Sequence, residues 1–149
     1  MDQNAKKRNE LLAQQMIKAL ESRNMEAYYA ENKEEALCKA LELMPEGSSV
    51  AWGGSMSVKE IGLIKAVHER NYEVYDRDLA KTPEERTEIT KKAFFSDFFL
   101  ASSNAITEDG ILVNIDGYAN RVAAIAYGPK NVLMIIGMNK VVRSEEDAR

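Results

Sequence analysis

Two acidic side chains, Glu108 and Asp116, stand close to Arg121 within the stretch SSNAITEDGILVNIDGYANRV, residues 102–122. A carboxylate can serve as general acid, general base or nucleophile, so these two are the candidate reactive groups. Arginine offers a planar fork of donors that fits a carboxylate or a phosphate. Asn104, Thr107, Asn114 and Asn120 add hydrogen-bonding groups, and Gly110 and Gly117 let the backbone turn sharply beside a ligand. The same residues also read as plain turns. Thr107-Glu108-Asp109-Gly110 suits a turn with Gly110 at positive φ, and Asp116-Gly117 suits another, with Asp116 capping the helix behind it. Arg121 resists that reading, because a positive side chain in the first turn of a helix gains nothing from the macrodipole. We expect one carboxylate to orient its guanidinium and an anionic ligand to take the other edge.

Two further stretches carry suitable residues. Gly53-Gly54-Ser55-Met56-Ser57 follows a strand and opens a helix, an arrangement that offers backbone N–H groups to an anion. It matches neither G-x-G-x-x-G nor the P-loop, and a serine-capped turn explains it equally well. Asn139-Lys140 follows an apolar strand, where Lys140 can reach an anion. The remaining candidates read as ordinary. His68, the only histidine, falls on a helix edge exposed to solvent, with no triad spacing around it. Cys38 and the aromatic residues Trp52, Tyr28 and Tyr29 read as packing.

The elements that hold these residues are legible from caps and periodicity. Helices are expected over 4–23, where Leu12, Met16, Ala19 and Leu20 share a face, and from Asn32, an N-cap with Glu35 at N3, to Met44. Another starts at the capping box Ser57/Glu60 and carries Ile61, Ile64 and Val67. Others begin at Thr82-Pro83-Glu84-Glu85 and span 118–127, the last stopped by Gly128-Pro129. Strands are expected at 25–30, 49–52, 72–75, 98–102, 111–115 and 132–137. Val50, Ala51, Trp52, Leu133, Ile135 and Ile136 should be buried, as in strands covered on both faces. The alternation predicts an α/β domain with a mainly parallel sheet. It breaks only at 98–117, where two extended segments follow each other without a helix. Ligands of such sheets sit beyond the carboxyl ends of the strands, which would place Ser55, Glu108 and Lys140 around one cleft.

The chain has 149 residues, 45% hydrophobic and 30% charged, with a net charge of −4. That suits one domain able to bury its own core. The single basic run, Lys6-Lys7-Arg8, is too short to be a nucleic-acid footprint. One cysteine excludes an internal disulfide and any metal or iron–sulfur site built from cysteines of this chain, so no cofactor or metal is expected within it. The polar start argues against a signal peptide, and no stretch approaches the roughly 20 apolar residues of a membrane span. A cytoplasmic protein is expected, with a homo-oligomer left open.

Taken in order, Ser103-Asn104-Ala105-Ile106-Thr107-Glu108-Asp109-Gly110, Asn114-Ile115-Asp116-Gly117, Asn120-Arg121-Val122-Ala123, Gly128-Pro129 and Gly137-Met138-Asn139-Lys140 resemble the LUD domain of the lactate-utilisation proteins. Gly53-Gly54-Ser55 with Ser57 is similar to that family's earlier loop. The resemblance covers nearly the whole chain. It implies a Rossmann-like layered sandwich related to ribose-5-phosphate isomerase and the CoA transferases. It also implies a role in oxidising L-lactate or a related organic acid, beside partner subunits that carry iron–sulfur clusters. The family's domain continues past the position of Lys140, so a shortened domain is expected here. Thr107 to Leu112 is also similar to the glutamate-bearing segment of class I CoA transferases. Three functions follow as expectations: an organic-acid-utilisation protein binding a small anion, an acyl-transfer or sugar-phosphate enzyme using Glu108 or Asp116, and a non-catalytic subunit that docks iron–sulfur partners.

Overall fold

The structure, a computed structural model, describes residues 2–148; Met1 and Arg149, the end of the charged tail, lie outside it. The helices in chain order are α1 (Gln3–Ser22), α2 (Lys33–Leu43), α3 (Met56–Glu60), α4 (Leu63–Glu69), α5 (Pro83–Lys92) and α6 (Asn120–Ala126). The strands are β1 (Ser49–Trp52), β2 (Glu73–Tyr75), β3 (Phe98–Ala101), β4 (Ala105–Thr107), β5 (Leu112–Val113), β6 (Asn131–Met134) and β7 (Val141–Val142). Two helix starts follow the expected caps. Asn32 Oδ1 accepts from Glu35 N at 2.9 Å, and Thr82 Oγ1 accepts from Glu85 N at 3.1 Å with Pro83 opening α5.

Four strands form one sheet in the order β2-β1-β3-β6, every neighbouring pair parallel. The pleat sends alternate side chains to opposite faces. Val50, Trp52 and Leu100 pack on one side with Ala40 and Met44 of the α2 region and Val58, Leu63 and Val67 of α3 and α4. Ala51, Phe99 and Ala101 pack on the other with Ala93 and Ala124. The result is a helix–sheet–helix sandwich of Rossmann-like type. A second sheet, β5-β4-β7, pairs β4 antiparallel to β5 and parallel to β7. The break expected at 98–117 is therefore a change of sheet: the chain leaves β3 at Ala101 and enters β4 at Ala105. Among the described residues, no helix is long and apolar enough to cross a membrane.

Several expectations are corrected. Residues 25–30 have no regular secondary structure and, among the described residues, join no sheet. The helix expected from Ser57 starts earlier, capped by Ser55, and breaks at Gly62, whose φ of +79° belongs to a left-handed turn. Leu133, Ile135 and Ile136 are only half-buried, because β6 is the edge of its sheet. Cys38 is exposed: α2 turns Leu37, Ala40 and Leu41 inward, and Cys38 falls between these rows. Tyr28 is half exposed, beneath Lys39 Nζ at 4.9 Å from its ring centroid. Gly117 does not adopt a positive φ; that conformation falls on Ala119 at +61°.

Candidate functional site

The carboxyl ends of β1, β2 and β3 each lead into a short polar segment. After β1 comes Gly53-Gly54-Ser55. Ser55 is buried, and its Oγ accepts from Val58 N at 3.3 Å, so its hydroxyl oxygen is the cap of α3. Gly53 faces Phe99 and the aliphatic stem of Arg121; a Cβ there would meet both at 3.7–3.8 Å. Ser57 sits half-buried within α3 itself.

After β2 comes Asp76, which fixes the next turn. Its Oδ1 accepts from Asp78 N at 2.9 Å, and its Oδ2 meets His68 Nε2 at 2.9 Å. The His68 ring also stands edge-on to Trp52, centroids 5.7 Å apart, so it is anchored rather than simply solvated. The 3₁₀ turn Arg77–Leu79 follows, placing Arg77 opposite Gly54.

After β3 come Ser102, Ser103 and Asn104, at the change of sheet. Both serines are buried, and among the described residues neither hydroxyl has a hydrogen-bond partner. The Oδ1 of Asn114 is likewise buried without a partner. Buried polar groups normally find partners, and an unsatisfied one costs about 1–3 kcal/mol, so such a cluster points to a site.

Arg121 holds this segment together. Its Nε donates to Asp116 Oδ1 at 2.8 Å, its Nη1 to Ser102 O at 3.2 Å, and its Nη2 to Asn104 Oδ1 at 2.6 Å and Ile115 O at 3.1 Å. Asn104 Oδ1 also accepts from Ile115 N at 2.9 Å. Asp116 Oδ2 takes Val122 N at 2.7 Å, which is the capping role expected of it, and stabilises a helix start whose Ala119 is left-handed. Both partners of the ion pair are well buried. The guanidinium edge expected to face a ligand is occupied by protein carbonyls and an amide, so Arg121 is a staple of the loop. Both Asp116 oxygens are engaged too, which leaves no lone carboxylate there.

Glu108 lies elsewhere. It is in the β4–β5 hairpin turn, closed by Gly110 N on Thr107 O at 3.0 Å and by Thr107 N on Ile111 O at 2.9 Å. Gly110 has φ +86° and packs against the backbone of Ala19 and Leu20. Thr107 is buried; its hydroxyl donates to Asp109 Oδ1 at 2.5 Å and holds that carboxyl below its ordinary range. Glu108 borders a shallow groove with Lys7, Arg8 and Gln15 of α1. Asn139 and Lys140 form a 3₁₀ turn between β6 and β7, where Asn139 Oδ1 folds over Gly137. Among the described residues, no hydrogen bond or ion pair joins Ser55, Glu108 and Lys140. Glu108 N donates to Val142 O at 3.0 Å, so Glu108 lies beside β7, the strand that Lys140 leads into, while Ser55 follows β1 in the other sheet.

The cleft at the sheet's carboxyl edge is instead walled by Trp52, Tyr75, Phe94 and Phe99, with Arg77, Thr90 and Asn120 among its polar groups. Burial, and then the bond from its hydroxyl to Glu73 Oε1 at 3.1 Å, hold the Tyr75 phenol above its ordinary pKa, so it stays neutral. Sequence reasoning missed Arg77. The rule that selected residues 53–57 also applies to the segment after β2, and the triplet Tyr75-Asp76-Arg77 was the available signal. No group of three or more metal-ligating side chains stands together among the described residues.

A parallel sheet with helices on both faces, a glycine-bearing loop after β1 and a polar change of sheet after β3 define a Rossmann-like α/β protein with its polar cleft at the carboxyl edge. The chain belongs to the LUD domain family, whose model matches residues 13–149. No curated protein and no solved structure matches it.

Proposed function

We propose that this LUD-domain protein serves the utilisation of L-lactate or a related organic acid by binding a small anionic molecule at the carboxyl edge of its parallel sheet. The observation that carries this reading is the pair of buried hydroxyls, Ser102 and Ser103, without protein partners where the chain passes between sheets. Gly53, Gly54, Asn104 and Asn114 complete the polar surroundings. Asp116 and Arg121 shape this segment, and the turn carrying Asn139 and Lys140 runs beside it, since Met134 pairs with Ala101 and Val141 with Ile106. Iron–sulfur subunits of organic-acid oxidation are the proposed partners, and the cytoplasm the proposed compartment.

Thermal unfolding with lactate, pyruvate, inorganic phosphate and CoA tests the reading. A ligand of the folded state at 100 times its dissociation constant adds about 2.7 kcal/mol, which is readily measured. Stabilisation by at least one of these anions is expected; no shift with any of them contradicts the reading.

A further inference from the structure

Resting on that reading, we infer that Arg77 is the anion anchor of the cleft and that the cleft takes the carboxylate of a small planar organic acid. Arg77 is half-buried, yet among the described residues no hydrogen bond or ion pair holds its guanidinium. Every acidic side chain near it is engaged elsewhere. Asp76 binds His68 and caps the turn, Asp78 stands 3.7 Å from Arg86, and Glu73 takes the Tyr75 hydroxyl. A guanidinium drawn partly out of water without an anion is costly, and an incoming carboxylate meets its fork with two parallel charge-assisted bonds.

The surroundings suit that ligand. Gly54 is exposed, and a Cβ on it would stand 3.3 Å from Arg77 Nη2, so the missing side chain leaves the guanidinium open from the loop side. Asn120 lines the same cleft. Lys92 Nζ, 6.0 Å from the Tyr75 ring centroid, adds a second positive charge nearby. Trp52, Tyr75, Phe94 and Phe99 offer flat walls to an unsaturated body. The closed part admits a water-sized sphere over only about 20 Å³. A cavity needs roughly 10–15 Å³ on this measure for a single water, so the body of a ligand must lie in the open mouth beside the ring walls. The anchor is also held in place from behind: Trp52 braces His68, His68 holds Asp76, and Asp76 caps the turn that carries Arg77.

The test is a nuclear magnetic resonance titration of the whole chain with pyruvate, benzoate and inorganic phosphate. It follows the Arg77 Nε–H and the Gly54 and Ser102 amides, in wild type, Arg77→Gln and Arg77→Lys. Thermal unfolding of each variant reports the fold separately. We expect the two carboxylates to move the Arg77 and Gly54 signals, with phosphate weaker. Arg77→Gln should weaken carboxylate binding about tenfold or more at unchanged stability, and Arg77→Lys, which keeps charge without the fork, should fall between. If a carboxylate binds wild type and Arg77→Gln equally while moving the Ser102 amide, the Arg77 assignment is overturned and the carboxyl-edge reading stands. If phosphate binds at Arg77 and the carboxylates do not, the ligand class is overturned. If none of the three binds wild type, this inference fails, and the reading beneath it fails with it only if lactate and CoA also leave thermal unfolding unchanged.

Discussion

Replacing Arg121 by lysine should cost the protein stability. Its guanidinium makes four bonds to Asp116, Ser102, Asn104 and Ile115, and the ion pair is well buried, with 15% and 10% of the two side chains exposed. A lysine ammonium can keep the contact with Asp116 but cannot span the other three acceptors. Each lost bond is worth about 0.5–1.5 kcal/mol, and removing one member of a buried pair outright costs about 3–5 kcal/mol. Arg121→Lys should therefore lose about 2–4 kcal/mol, and Arg121→Met more. In a chain of this size about 3 kcal/mol lowers the melting temperature by roughly 6–12 °C. Urea unfolding followed by circular dichroism gives the number directly, and an unchanged denaturant slope shows that the change is one of stability. A double-mutant cycle with Asp116→Asn isolates the pair. A loss below about 0.5 kcal/mol for Arg121→Lys would show that the guanidinium does not hold the loop, and the staple assignment would fall.

Three further outcomes are expected. Ser103→Ala removes a buried hydroxyl without a partner and should raise stability by about 1 kcal/mol while weakening anion binding; a destabilised variant in thermal unfolding contradicts the reading of that hydroxyl. Gly110→Ala should cost about 2–4 kcal/mol, because φ is +86° and the new Cβ meets the Ala19 backbone at 3.3 Å, whereas Gly117→Ala, in open space, should stay within about 0.5 kcal/mol in the same urea assay. Asp97 has a lowered pKa, first because Ser49 N–H donates to it and then because Lys130 lies beside it. A depressed folded pKa adds stability that is present above the unfolded value, about 3.9, and is lost as pH falls through the folded one. Asp97→Asn should thus flatten the acid limb of a stability–pH curve, and identical acid limbs would show that this carboxylate carries none of the dependence.

What could be read from the sequence was local or strongly patterned. The Asn32 and Thr82-Pro83 caps, the apolar runs of β1 and β3 and the glycine turn at Gly110 depend on neighbours a few residues away, and the structure has them as expected. Pairing is a different matter. Residues 25–30 have strand-like composition but no ladder partner, and composition does not specify one. Gly62 broke a periodic helix by taking a left-handed conformation open to glycine, and Ser55 rather than Ser57 became the cap. The polar cluster at 102–122 was visible, but its roles were not. Whether Arg121 faces a ligand or a carbonyl depends on where Ser102 O, Asn104 and Ile115 O come to lie, and that follows from the change of sheet between Ala101 and Ala105. Arg77 escaped notice for the converse reason. It sits in no motif, and only the positions of Gly54, Asp76 and His68 leave it without an ion-pair partner among the described residues at the sheet's edge.

The most direct measurement of the central claim is amide hydrogen exchange of the whole chain with and without saturating pyruvate, resolved by peptide. Binding at the carboxyl edge should slow exchange in the segments 53–55, 76–79 and 102–104 and leave the hairpin turn at 107–110 and the start of α1 unchanged. Protection confined to the hairpin and α1, beside Glu108, or no protection in any segment, would contradict a small-anion site at the carboxyl edge of the sheet.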